Sequence, residues 1–156
     1  MRINRQRGDT IIEVLISIVV ATSVIGGAYI VSNHSLVSTR SAQEHSVALK
    51  LAEGQLEQLK GLAQDPAHSD EIFGAAVPGQ FCLGIDSTTS TTAVYTATDP
   101  HCIVNSSGDA AAANEQPQFT IAITRSGNDF TLDETWDDVS GHTQDKIELN
   151  YRVYQP

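Results

Sequence analysis

The chain has 156 residues, with 9 basic and 19 acidic side chains, a formal net charge of −10 and two cysteines. That length sets one domain as the starting expectation, and the acidic excess argues against a broad nucleic-acid interface, which requires clustered Lys and Arg. No nucleophile elbow, phosphate-binding glycine loop, HExxH or CxxC occurs, so the expectation is a protein that is not an enzyme and carries no cofactor.

The first element is a basic start followed by an apolar run. Arg2, Arg5 and Arg7 precede Gly8, and residues 11–31 are apolar apart from Glu13 and a few small polar side chains. These 21 residues make about 31 Å of helix, enough to cross a bilayer. Positive charge before the span places the amino terminus in the cytoplasm and everything after Val31 outside. Glu13 is the anomaly, because a carboxylate at the centre of a span costs about 2.5 kcal/mol or more to insert, and less near its end. Such a residue is a functional hypothesis by default and asks for a cationic partner. Two plainer readings stay open. A cleaved secretory signal has a basic start, but its core is shorter, contains no Glu and ends in a small-residue site, for which 21–23 and 26–28 are poor matches. A simple signal anchor fits the length and leaves Glu13 unexplained.

Gly8, Glu13 at the fifth position after it, and the surrounding apolar run resemble the type IV pilin and pseudopilin family. The resemblance implies cleavage after Gly8 by a prepilin peptidase, Asp9 as the new and N-methylated first residue, and Glu13 as the assembly carboxylate that pairs with a neighbour's amino terminus. The family usually begins its mature chain with Phe or Met, where this chain has Asp9. Loss of the three leader arginines shifts the net charge from −10 to about −13. The implied partners are other pilin subunits, the peptidase, an assembly platform and ATPase, and the cytoplasmic membrane. The implied location is that membrane, in a single pass with the head outside, and after assembly a surface pilus.

Gly26 and Gly27 interrupt the span, each at about 1 kcal/mol relative to Ala. They suit either close helix packing through small residues or a weak point where the helix loosens on leaving lipid. Beyond the span the helical pattern continues without proline to residue 65. Ala42, Leu49, Ala52, Leu56, Leu59 and Ala63, with His45, form one face, and Lys50, Glu53, Glu57 and Lys60 the other. Gly61 and Pro66 are stop signals. The segment Leu51-Ala52-Glu53-Gly54-Gln55-Leu56-Glu57-Gln58-Leu59 resembles the helix of V-type minor pilins and I-type minor pseudopilins. It is equally what an amphipathic helix on a sheet requires.

Four parts follow: a leader (1–8), a membrane and filament-core helix (9–31), an amphipathic half (32–65) and a β-rich head (66–156). In the head, residues 80–85, 94–98 and 102–105 read as short strands. Residues 119–125, 130–136 and 147–154 carry the clearest period-2 signal, with Glu134 on the face of Phe130 and Leu132 and a turn at 126–129. Three antiparallel strands with one apolar face would cover the helix, giving an α+β fold, the pilin fold the resemblance also implies. Cys82 and Cys102 lie on the oxidising side, where an even pair favours a disulfide over a metal site, worth about 3 kcal/mol for this loop length. Asp133, Glu134, Asp137 and Asp138 crowd a turn around Trp136. They are read as a solvated acidic turn, with a calcium site at Asp133, Asp137 and Asp138 as the alternative, although the spacing matches no EF-hand. His34, His45, His68, His101 and His142 share no ligand-like spacing, and Trp136 reads as a core anchor.

Overall fold

A computed structural model describes residues 9–74, 77, 79–86, 91–112, 114–138 and 143–154. The chain divides into two compact units, Met1–Arg40 and Ser41–Pro156. Helix α1 (Asp9–Gln64) is one uninterrupted element of 56 residues that contributes to both. In the second unit it is followed by the short α2 (Asp70–Phe73), β1 (Gln80–Asp86), β2 (Thr91–Thr96), a 3-10 turn (Pro100–Cys102), β3 (Ile103–Val104), β4 (Phe119–Ser126), β5 (Asp129–Asp137) and β6 (Gln144–Arg152). The strands make one antiparallel six-stranded sheet in the order β2-β1-β4-β5-β6, with β3 paired to β4. The second half of α1 packs on this sheet, the α+β arrangement of the pilin fold.

The period-2 segments became β4, β5 and β6, because alternation delivers every second side chain to the helix-covered face. Phe119, Ile121 and Ile123 are buried from β4, Phe130, Leu132, Glu134 and Trp136 from β5, and Ile147 and Val153 from β6 and its continuation. The hairpin between β4 and β5 closes at Ser126↔Asp129, with Gly127 at a φ of 66°, the positive value that tight hairpin turns require at their first central position. The sheet is wider than the three strands expected. β2 starts at Thr91 rather than at 94, and Cys102 ends a 3-10 turn instead of opening a strand. Part of the Ser/Thr run before β2 (87–90) lies outside the described residues.

The apolar stripe on α1 is rotated from the one expected. Ala48, Ala52, Leu59, Leu62 and Ala63 are buried, Leu56 is half-buried, Leu49 is 39% exposed and Ala42 is exposed. The expected set follows the heptad 42, 49, 56, 63. A straight α-helix drifts about 20° per heptad against that repeat, so positions progressively farther from Ala63 rotate out of the core.

Where β1 and β4 part, the helix fills the gap. The two strands pair only at Gln80↔Thr124 and Phe81↔Ile123, and farther along β4 its edge is taken by β3 at Phe119 and Thr120. Leu83 of β1 faces that opening. The Gln55 side chain meets it with both ends: Nε2 donates to the Leu83 carbonyl at 2.7 Å, and Oε1 accepts from the Leu83 amide at 2.9 Å. One glutamine thus substitutes for a missing strand residue, because its amide carries the same donor and acceptor as a peptide group. The disulfide between Cys82 and Cys102 ties the same part of β1 to the 3-10 turn before β3. Below Gly74, α2 contributes buried Ile72 and Phe73, and Arg125 holds it by donating from Nη1 to the Ile72 carbonyl at 3.2 Å while its guanidinium lies 5.2 Å from the Phe73 ring.

Candidate assembly helix

Between residues 11 and 31 the side chains of α1 are apolar around the whole circumference and exposed throughout, with Ile25 at 68% and Tyr29 at 72%. A helix apolar on all sides belongs in lipid or in the interior of a larger assembly. By length and composition this one can cross a membrane. Its polar side chains fit that setting. Ser17 donates to the Glu13 carbonyl at 2.7 Å, Thr22 to the Ile18 carbonyl at 2.9 Å, and Ser23 to the Val19 carbonyl. These hydroxyls are satisfied within the helix and ask nothing of the surroundings. The helix passes unbroken through Gly26 and Gly27, and a Cβ added at either would meet nothing within 4 Å. Both glycines therefore leave open surface for another helix to approach.

Glu13 differs. Its side chain is exposed and its carboxylate has no hydrogen-bond or ion-pair partner among the described residues. It is the single acidic group between residues 11 and 31. The arrangement gives this apolar helix one unpaired charge, which asks for a cation, located one turn from its start at Asp9. Gly8 lies outside the described residues, as does the side chain of Asp9.

Among the described residues of the head, the acidic cluster around Trp136 does not form a second centre. Asp133, Glu134 and Asp137 stand in strand β5 rather than in a turn, so the pleat sends Glu134 to the buried face and the other two to the opposite one. Asp133 and Asp137, four residues apart, are separated by about 13 Å at the rise of a strand, too far to share an ion. Asp133 instead pairs with Lys146 at 2.7 Å, and Asp138 follows the strand, its amide donating to the Thr143 carbonyl. The alternative calcium site is therefore not formed, and among the described residues no group of three or more His, Cys, Asp or Glu is placed to hold a metal. His34, His45, His68 and His101 are exposed, and His142 lies outside the described residues. Asp65 binds His68 Nδ1 at 2.8 Å and raises that imidazole above its ordinary range, and Asp99 binds His101 Nδ1 at 2.6 Å.

Two residues of the second unit carry roles that motif reading missed. Gln55 stood on the apolar side of α1, between Ala52 and Leu59, and a glutamine there signals a buried amide contact. Glu134 stood in register with Phe130, Leu132 and Trp136, and its burial follows from that period alone. Comparison of the chain with protein-family models, curated proteins and solved structures returns no match.

Proposed function

We propose that this chain is a subunit of a type IV pilus, a minor pilin processed after Gly8 and assembled into a surface filament for adhesion, twitching motility or DNA uptake. The observation that supports it is α1 itself. A single helix begins beside the Gly8–Asp9 junction, presents an apolar surface on all sides with one unpartnered carboxylate at Glu13, and continues as the amphipathic element that packs on an antiparallel sheet. An anchor alone would need the apolar surface but not the carboxylate. In a filament of like helices, the amino terminus of a neighbour freed at Asp9 supplies the cation that Glu13 lacks, and pairing offsets the cost of holding the carboxylate in an apolar setting. Before assembly the helix lies in the cytoplasmic membrane with the head outside, the compartment in which the Cys82–Cys102 bond persists. The pilin subunits, peptidase, platform and ATPase of such a system are its partners.

A secretion pseudopilus is the second reading, favoured by the segment from Leu51 to Leu59. Sheared surface filaments containing the chain support the pilus, whereas dependence of protein secretion on it supports the pseudopilus. The first test of either is the intact mass of the protein from its native membrane. Loss of Met1–Gly8 is expected, with about 14 Da added by methylation of Asp9. Retention of the leader leaves a plain anchor and removes the role of Glu13. In the processed protein, Glu13→Leu is expected to preserve membrane insertion and lower incorporation into filaments; normal incorporation overturns the pairing.

A further inference from the structure

Glu134 is the one fully buried charged-type side chain of the described core, at 0% exposure, and neither carboxyl oxygen has a hydrogen-bond partner. It lies in β5 between Leu132 and Trp136, which belong to separate core clusters, and its register neighbours are Ile121 in β4 and Ile147 in β6. Of the alanines that the second half of α1 buries, Ala52 shares the core cluster of Leu132 and Ala48 that of Trp136. A carboxyl group in that position is tolerated when neutral and opposed when ionised, because no donor or cation among the described residues replaces water around the charge.

We propose that Glu134 is a proton-controlled latch on the seam between the second half of α1 and the sheet: protonated, it lets the helix close, and loss of the proton favours opening of that seam. The titratable groups on the packed faces of the neighbouring elements do not rescue the charged form. On α1 they are Glu44 and His45, the latter edge-on to the Trp136 ring at 5.8 Å, and Lys60, which lies over the ring of Tyr151. On β6 they are Asp145, opposite Trp136, and Tyr151, opposite Phe130. Among the described side chains, the inner face of β4 presents only Phe119, Ile121 and Ile123 along this stretch, and that of β1 only Phe81 and Leu83. Burial pushes the Glu134 carboxyl up to about 8, so the latch loosens as pH rises from the ordinary glutamate value and is fully loosened above about 8.

Hydrogen exchange of the full-length chain in detergent micelles tests it. Once intrinsic exchange is corrected for, protection of the amides in residues 48–60 is expected to fall as pH rises from 6 toward 8. The fall approaches about tenfold per pH unit where opening releases the proton. In Glu134→Gln that pH dependence disappears while protection at pH 6 persists; an equal fall in the variant overturns the latch. His45→Gln is expected to keep the wild-type profile, and its loss there would assign the effect to His45 and overturn the proposal. Should Glu134→Gln not fold, the carboxyl carbon resonance of Glu134 in the unaltered protein decides. Titration well above the ordinary glutamate range supports the latch, and titration within it overturns it.

Discussion

The two halves of α1 solve the same problem in opposite ways. Both are helical and largely apolar, with Ile and Val dominating the first and Leu and Ala the second, yet residues 11–31 expose their apolar side chains all round while residues 48–63 bury one face and expose the other. In the second half, Glu53 and Glu57 on the outer face leave a single stripe to cover, and the sheet of the same unit covers it. In the first half no face is polar enough for water, so an environment outside the chain must supply the cover. The polar groups divide the same way. Ser17, Thr22 and Ser23 bond to their own backbone, whereas Gln55 spends its amide on the backbone of another element. Hydrophobicity sets how much surface must be hidden; the distribution of polar residues around the helix decides whether the chain can hide it alone.

Perturbations of the head should therefore act on folding, and those of the first half on insertion and assembly. The largest expected effect is that of pH through Glu134. Its folded form holds the proton up to about 8, whereas a glutamate in the unfolded chain releases it near 4.5. Between those values the folded state binds more protons, so stability falls as pH rises and levels off above the upper value. The full difference is on the order of 5 kcal/mol. Urea unfolding of wild type and Glu134→Gln, followed by Trp136 fluorescence at pH 5 and pH 9, should show it as a gap between the two proteins that widens with pH. Trp136→Ala removes a ring that is 2% exposed and packs against Phe119 at 5.8 Å, and should cost about 3–5 kcal/mol in the same assay, with circular dichroism as the probe. Replacing Cys82 and Cys102 together by Ser should cost about 3 kcal/mol, measured as a lower urea midpoint that matches wild type in reductant.

Gln55→Ala leaves the Leu83 amide and carbonyl without their side-chain partner and should cost about 1–3 kcal/mol. Gln55→Glu should retain the acceptor and lose the donor, falling between the two. An Ile16→Ala substitution, in the exposed half, should move head stability by less than about 0.5 kcal/mol, while Ile16→Asp should block membrane insertion with the head still folded. A large loss of head stability on Ile16→Ala would break the division between the two halves.

Several features were settled by sequence alone. Period-2 alternation in 119–125, 130–136 and 147–154 placed the strands and their buried faces, since the pleat leaves a side chain only two directions. Residues 11–31, apolar apart from Glu13 and a few small polar side chains, settled that the first half is long enough to span a membrane, and Glu13 stood out as the single charged side chain within that run. Compartment logic paired Cys82 with Cys102, the protein's only two cysteines. Tertiary structure decided the rest. Which stripe of α1 is buried depended on helical drift across four heptad positions, visible only once the sheet fixed one end. The turn expected around Trp136 became strand because β6 offered partners from Gln144 to Arg152, and backbone pairing outweighed a local acidic cluster. That separation of Asp133 from Asp137 dissolved the calcium site. Gln55 and α2 escaped notice because each acts on a residue far along the chain, Leu83 or Arg125, and such pairings exist only when folding brings the two together.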